Sequence, residues 1–444
     1  MRALIMRRSD ILTVLLMAFF LISFCPGMLQ AGEIPPVDDV INGKAKLPTI
    51  EDLTGGKVKI GDLIDKDNAD MVKKYLSPGT YELVKRGMVL RMSRNLSPDQ
   101  IVPKYFREAT ERHRGKAIMD ENGTVYYENM GVAWPGGLPF PHPKTGLEVA
   151  ANVKFGSVWD DIRNYPNMMM YVDSKGKCYK QVGQDHRFIY CNTRTKVPPL
   201  GAIPGYENIM FRSIISTTFP LELKGIGQFV IRHYDDAKEY DTGFAYLPAF
   251  KRTIRISATT WQDNIAGSDI TYGDGQGLQD PYSDWNFKLV ETKYILQAEP
   301  KSPFPLIDEK TGKLDKRLRF DVGEKFPRVG WTIWPMYVVE ATPKIKHIYG
   351  KKVLHTHAWP YWTTLTQFAL VDVYDQQMKL WKFFIDIKGN HYIQDGEPYC
   401  TAWGTSGWDL QADHATQLWC IQNVNTLKYR PKDISLKALL KTGR

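Results

Sequence analysis

The chain has 444 residues, of which 43% are hydrophobic, 12% aromatic and 24% charged, with a formal net charge of +9. That composition excludes a disordered, collagen-like or coiled-coil chain. The length suits two or three domains or one large β architecture, and the supply of Trp, Tyr and Phe favours β structure.

At the start, Arg2, Arg7 and Arg8 precede an apolar run from Ile11 to Phe24, and small or polar residues end in Leu29-Gln30-Ala31. This order predicts a secretory signal peptide over residues 1–31, cleaved after Ala31. The run is too short for a membrane anchor. Phe24 before Cys25 departs from the small residue of a lipoprotein signal. Cleavage removes three Arg and one Asp and leaves a net charge of +7. The mature chain, with no other long apolar run, reads as soluble and periplasmic.

Residues 32–130 read as an N-terminal α+β extension. KVKIGDLIDKDNADMVKKYLSPGTYELVKRGM, from Lys57, predicts strand, helix, turn and strand, with Asp67 or Asn68 capping the helix and Ser77-Pro78-Gly79 ending it. A second helix is predicted to open at Ser97-Pro98, with Gln100 in a capping box, and to run to His113 with a break at Pro103. Glu121-Asn122-Gly123 is a hairpin turn between two strand-like pieces.

Residues 131–444 read as one curved β-sheet domain with a C-terminal helix. Four Pro and three Gly make residues 133–146 a loop. EVAANVKFGSVWDDIRN, from Glu148, reads as helical. From Met210 onward alternating segments predict a large antiparallel meander. In KRTIRIS, Ile254 and Ile256 face one way and Thr253 and Arg255 the other; in WTIWPMYVVE, Trp331, Ile333, Tyr337 and Val339 share a face. ISLKALLK is the last helix, capped by Asp433. After cleavage Cys178, Cys191, Cys400 and Cys420 remain, an even count that suits disulfides in an exported chain. The expected pairs are local, Cys178–Cys191 across a hairpin and Cys400–Cys420 across a longer loop.

AYLPAFKRTIRIS with GSDITYGD (residues 245–257 and 267–274), followed by YVVEATPK (337–344), VLHTHAWPYW and ALVDVYDQQMKLWKF, resembles the LolA-like lipoprotein-sorting fold. Ile270 stands where that pattern has an aromatic. GDLIDKDNADMVKKYLSPGTYELVKRGM and GLPFPHPKTGLEVAANV resemble an exported family of unknown function, DUF1329, over most of the mature chain. The resemblance implies a mainly β (α+β) protein: a large curved antiparallel sheet, an incomplete β-barrel of LolA-like type with helices covering its open side. It also implies acyl chains held between sheet and helices, and service beside RND-type exporters of a Gram-negative envelope. Ligand residues are not transferable from it.

Catalytic signatures are absent from the sequence. There is no GxSxG, no GxxxxGK[ST] and no HExxH. Gly273-Asp274-Gly275-Gln276-Gly277 lacks the helix and Lys of a phosphate loop and reads as a flexible turn. His355 and His357 share a strand face but supply only two metal ligands. Asp160-Asp161 and Asp235-Asp236 read as solvated turn acids, and Asp372 and Asp386 lie on the closing hairpin at unknown separation. The chain is therefore expected to be a non-enzyme with no cofactor and no metal.

Two basic groups, Lys310–Arg319 and Lys344, Lys346, His347, Lys351 and Lys352, read as solvated loops or as contacts for anionic lipid head groups; nucleic acid does not suit an exported chain without a binding motif. Trp331, Trp334, Trp359, Tyr361 and Trp362, with the soft Met168-Met169-Met170, read as core packing or as lining for a variable apolar ligand. The function expected is a periplasmic carrier of a lipid or other hydrophobic molecule, handing it to or from an RND-type transporter or an outer-membrane protein. The concave face is expected to carry Ile254, Ile256, Trp331, Ile333, Tyr337 and Val339. The alternative is a non-catalytic docking module with a self-filled cavity.

Overall fold

A computed structural model describes residues 34–95, 101–256, 260–298, 325–327, 329–359, 367–394 and 397–442, with the backbone alone at 260, 387–394 and 397–403. Residues 1–31, Ser97-Pro98 and Gln100, the group from Lys310 to Arg319, Tyr361, Trp362 and the Cys400 side chain lie outside the described residues.

The first half of the extension is helical turns and two short strands: α1 (Val37–Ile41), α2 (Ile50–Leu53), β1 (Leu63–Ile64) and β2 (Leu90–Met92). The helix expected after Asp67 is two 3₁₀ turns, Ala69–Met71 and Lys73–Tyr75. Ser77-Pro78-Gly79 opens a helix instead of closing one, namely α3 (Pro78–Lys85). The reason is local chemistry. The Thr80 N–H donates to Ser77 Oγ at 3.2 Å, and Pro78 takes the first helical position, where its missing N–H costs nothing. Helix α4 (Lys104–His113) starts directly after Pro103. Gly123, at φ +84°, turns the chain between β3 (Ala117–Met119) and β4 (Val125–Tyr127).

Helix α5 (Gly146–Phe155) opens on a reciprocal Thr145–Glu148 capping box. It stops at Gly156, short of its expected length; residues 157–160 are a connection and the chain enters the sheet at Asp161. That sheet holds β5 (Asp161–Val172), β6 (Cys178–Tyr190), β7 (Ile209–Phe219), β8 (Gly227–His233), β9 (Thr242–Leu247) and β10 (Arg252–Ile256). It continues with β11 (Trp285–Ala298), β12 (Gly330–Pro343), β13 (Lys351–His357), β14 (Leu370–Tyr374), β15 (Leu380–Gln394), β16 (Glu397–Asp409) and β17 (His414–Val424). Helix α6 (Leu436–Thr442) follows; the Ala438 N–H donates to Ser435 Oγ, so Ser435 and not Asp433 caps it.

One 15-stranded sheet results, in the order β1-β2-β12-β13-β14-β15-β16-β17-β5-β6-β7-β8-β9-β10, with β11 on the other side of β12. It is mixed and not wholly antiparallel, because β2 joins β12 in parallel. The join that organises it is β17 with β5, residues about 250 apart in sequence, Thr416 facing Tyr171 and Leu418 facing Met169. Strand β10 pairs with β9 alone and β11 with β12 alone, so the barrel is incomplete.

Period-2 alternation gives the sheet a face bearing Tyr337 and a face bearing His355. The His355 face is covered twice. The N-terminal elements pack there with Trp334, Met336, Phe383, Trp408 and Trp419 into the largest core. Helix α6 covers the same face over β7–β9, with Leu439 against Ile189, Ile214, Phe229 and Tyr246. On the Tyr337 face, α5 packs Val149 and Val153 beside Val339 and Ala341.

Candidate functional site

Register decides which residues share a face. Val339 faces Leu354, then Val371, Phe384, Gly407, Thr416 and Tyr171 across successive strands. Met169 continues to Val182, and alternation along β6 carries the face through Gln184, His186 and Phe188. From there His186 faces Ile215, Gln228, Ala245 and Ile254, while Phe188 faces Ser213, Val230, Gly243 and Ile256. Ile254, Ile256, Trp331, Ile333, Tyr337 and Val339 therefore lie on one face, from strands far apart in the sheet. Their surroundings differ. Trp331, Ile333 and Val339 are fully buried in the chain's own core and Tyr337 is half-buried, whereas Ile256 is half-exposed and Ile254 exposed.

The exposed part is a strip of apolar side chains across β6–β10, which we call the trough. Phe188, Ile215, Val230 and Ile256 are all half-buried. Between them lie Ser213, Gly243 and Ala245, small side chains that leave the floor low; a Cβ on Gly243 would stand 3.3 Å from Ile256. The inner end is closed by Tyr190 and Phe211, with ring centroids 5.5 Å apart. Along one side the Gln228 amide donates to the Tyr272 hydroxyl at 2.7 Å, tying the segment from Trp261 to Asp284 to the trough. Arg232 lies over Trp261 and pairs with Asp241 at 2.9 Å.

The trough's β5 side is polar. Asn164 faces His186, and the Asn167 amide donates to Gln184 at 3.2 Å. The carbonyl oxygens of Asn164 and Asn167 are buried and accept no hydrogen bond. The His186 and Phe188 ring centroids lie 4.0 Å apart in a tilted pair, and burial pushes the imidazole down to about 3, so it is neutral at physiological pH. No sequence signal marked Asn164, Asn167, Gln184, His186, Phe188 or Val230. The alternation of β6 and β8 could have done so only with the strand neighbours known.

Elsewhere the Tyr337 face is filled by the segment that carried the family pattern. Asp274 accepts from Lys352 Nζ at 2.8 Å and from the Tyr349 hydroxyl at 2.7 Å, with both members of the ion pair sealed from solvent. Asp269 accepts from the Thr416 hydroxyl at 2.9 Å and pairs with His414 at 2.6 Å, while Lys382 donates to its backbone carbonyl. The Gly273–Gly277 stretch is thus a 3₁₀ turn with Gly273, Asp274 and Gly277 buried, where a solvent-exposed turn was expected. Lys352 leaves the expected solvated basic group for the same reason, and Lys351 pairs with Glu340.

The other chemical candidates resolve as structure. His355 Nε2 lies 2.8 Å from Asp372 Oδ2, and the Gly79 N–H at the start of α3 donates to Asp372 Oδ1 at 2.6 Å. Asp372 faces Phe383 on the His355 face, so Asp386, three residues on from Phe383, points to the opposite face and the two make no acid couple. Asp160 and Asp161 are fully buried and not solvated: the Thr195, Lys196 and Val197 N–H groups donate to Asp160, and Tyr429 to Asp161. Asp236 is buried against Lys154 at 2.7 Å. Among the described residues no three His, Cys, Asp or Glu side chains gather as a metal site.

The expected Cys178–Cys191 bridge is overturned. The two residues bound one continuous strand, and both are free thiols. Thirteen steps of about 3.3 Å separate them by about 40 Å, against the roughly 7 Å limit between Cα atoms for a disulfide. Cys420 is buried on β17, its thiol pushed up to about 12 by burial. Met169 and Met170 are core residues, with Met168 half-buried.

Two small cavities lie among the described residues. One of about 10 Å³ lies among Leu138, Val149, Tyr337, Thr356 and Trp359. Another of about 20 Å³ lies among Val153, Arg232, Gln276 and Tyr282. Each admits about one water molecule.

Among the described residues no helix is long and apolar enough to cross a membrane. The molecule is a mainly β protein built on one unclosed sheet with helices packed over it. Residues 63–435 match the family described as protein of unknown function DUF1329, and the chain belongs to that family. No protein of curated function matches it. Solved structures similar to it include a DUF1329 family protein from Desulfovibrio piger, 15% identical with a TM-score of 0.44, covering 66% of this chain and 97% of that one. Another is a domain from Vibrio parahaemolyticus described as a candidate outer membrane lipoprotein-sorting protein, 17% identical with a TM-score of 0.44, covering 66% and 98%. A third is a LolA superfamily protein from Nitrosomonas europaea, 12% identical with a TM-score of 0.37, covering 67% and 100%.

Proposed function

We propose that the protein is an exported, periplasmic, non-catalytic carrier that holds a lipid or other hydrophobic molecule in the trough across β6–β10. The observation that carries this reading is the set of half-exposed apolar side chains, Phe188, Ile215, Val230 and Ile256, on a face whose reverse is packed by α6 over β7–β9. Covering apolar surface yields about 25 cal/mol per Å², so an acyl chain laid along the rows gains useful affinity without an enclosed cavity. The unpartnered amide oxygens of Asn164 and Asn167 suit the donor groups of an amphiphile's polar end. Export rests on the leader pattern of residues 1–31. Hand-over to an RND-type exporter or an outer-membrane protein rests on the family resemblance and extends the proposal.

The test is native mass spectrometry of protein purified without detergent, followed by extraction of bound lipid. A stoichiometric adduct is expected, lost in the double variant Val230→Asp, Ile256→Asp while the melting temperature holds. A bare mass with no uptake from added lipid vesicles overturns the carrier. A second reading is favoured by the buried state of Trp331, Ile333 and Val339 and by the water-sized cavities. In it the sheet is a self-filled scaffold that docks another envelope component, and the bare mass is its expected result.

A further inference from the structure

The end of the sheet where β7 stops and β8 starts also holds the β5–β6 and β9–β10 turns, because these strands alternate in direction with Gly183 facing Phe219, Gly227 facing Tyr246 and Arg252 facing Leu247. Large apolar side chains project there. Leu221 is 78% exposed and Phe250 71%, and Phe219, Tyr179 and Ile254 are each at least half-exposed. Scattered exposed apolar residues are ordinary, but a cluster on the tips of adjacent turns is not. Between them stand exposed cations: Lys175 and Lys177 on the β5–β6 turn, Lys224 on the β7–β8 turn, and Lys251 and Arg252 on the β9–β10 turn. Glu222 is the exposed acid among them, and Asp173 is occupied by the N–H groups of Lys175 and Lys177.

The turns are held in place. Leu223 tucks against Met169, Tyr171 and Val182, so the 3₁₀ turn Leu221–Leu223 keeps its inner side packed while Leu221 points outward. Gly225 and Thr217 close the hairpin with a backbone bond of 2.8 Å. Lys251, at φ +50°, ends the Pro248–Phe250 turn and leaves Phe250 at its apex.

We propose that this rim docks the protein on a bilayer rich in anionic phospholipid, with Leu221 and Phe250 entering the interface and Lys175, Lys177, Lys224, Lys251 and Arg252 meeting head-group phosphates. Charge complementarity selects this occupant. Apolar tips ringed by cations match a surface that is apolar below and anionic above, whereas a protein interface depletes Lys at its core. The proposal does not depend on the trough holding a ligand. If both hold, Ile254 and Ile256 place the trough's open edge next to the membrane.

The experiment is flotation of the protein, expressed from the whole chain, with vesicles of phosphatidylethanolamine and phosphatidylglycerol at three to one, and with phosphatidylcholine alone. Binding to the anionic vesicles is expected to weaken as salt rises. Each reversal among Lys224→Glu, Lys251→Glu and Arg252→Glu is expected to weaken it about fivefold, from the roughly 1 kcal/mol that a surface cation contributes. The double variant Leu221→Glu, Phe250→Glu is expected to abolish flotation with the melting temperature unchanged, both side chains being outside every core. Equal flotation of the double variant and the parent overturns the proposal. So does parent protein that ignores anionic vesicles while these substitutions break its cross-linking to an envelope protein, which assigns the rim to a protein partner.

Discussion

Lys352 carries its charge where water does not reach. Its ammonium group is held by Asp274 and by the carbonyls of Gly273 and Gly277. Burial alone would raise the Asp274 carboxyl, but the charges of Lys352 and Lys382 outweigh it and hold the group below its ordinary 3.8. A carboxylate depressed in the folded state adds stability above about pH 4, and that increment is lost as pH falls through the folded value. Lys352→Met strands the carboxylate and is expected to cost about 3–5 kcal/mol at neutral pH, with the gap to the parent narrowing below about pH 4. Urea midpoints across that range check it; a gap that does not change with pH would assign the loss to packing alone. Neither member of this pair was visible as such in the sequence. Asp274 sat in a Gly-rich stretch that reads as a mobile turn, and Lys352 in a run of cations that reads as solvated. Burial of a charge is a property of what folds over it.

Elements were legible where their signals are local. The Gly123 hairpin, the loop over 133–146 and the alternation of β10 and β12 all follow from residues within a few positions of each other. Ser77-Pro78-Gly79 shows the limit. The same three residues can end one helix or start another; the Ser77 cap and Pro78 at the first helical position favour a start, and burial of Leu83 and Val84 in the core holds it. The Cys178–Tyr190 stretch is a second case, since it reads as a hairpin but is one strand paired on both sides. Helix α6 is the converse. Seven residues do not form a stable helix alone, so ISLKALLK is helical because Leu439 is buried under β7–β9. Leu439→Ala is expected to destabilise the protein by about 2–5 kcal/mol in urea unfolding. A loss within about 0.5 kcal/mol, the range of surface positions, would show that α6 is not part of the core.

At the scale of the whole molecule, an unclosed sheet must protect its ends. On β10 the edge is guarded by Arg252 and Arg255, one on each face and both exposed. Edge cations oppose strand-to-strand association. Arg255→Val is expected to make the protein associate with rising concentration, read by light scattering after gel filtration; a strictly monomer-like profile equal to the parent's would remove that role. The sharing of one face by Ile254 and Val339 belongs to this scale as well. Alternation within KRTIRIS and WTIWPMYVVE is local, and it separated inward from outward side chains on each strand. Whether the two segments present the same side depends on every register between them, including the β5 bulge at Tyr165-Pro166 and the β17–β5 join. Chain chemistry by itself therefore fixed strand-forming segments, turns and the apolar stripe on each, because these arise from steric and hydrogen-bonding preferences of near neighbours. Long-range pairing decided which stripes were filled by the chain and which stayed open, because burial is set by segments that meet only after the sheet is assembled.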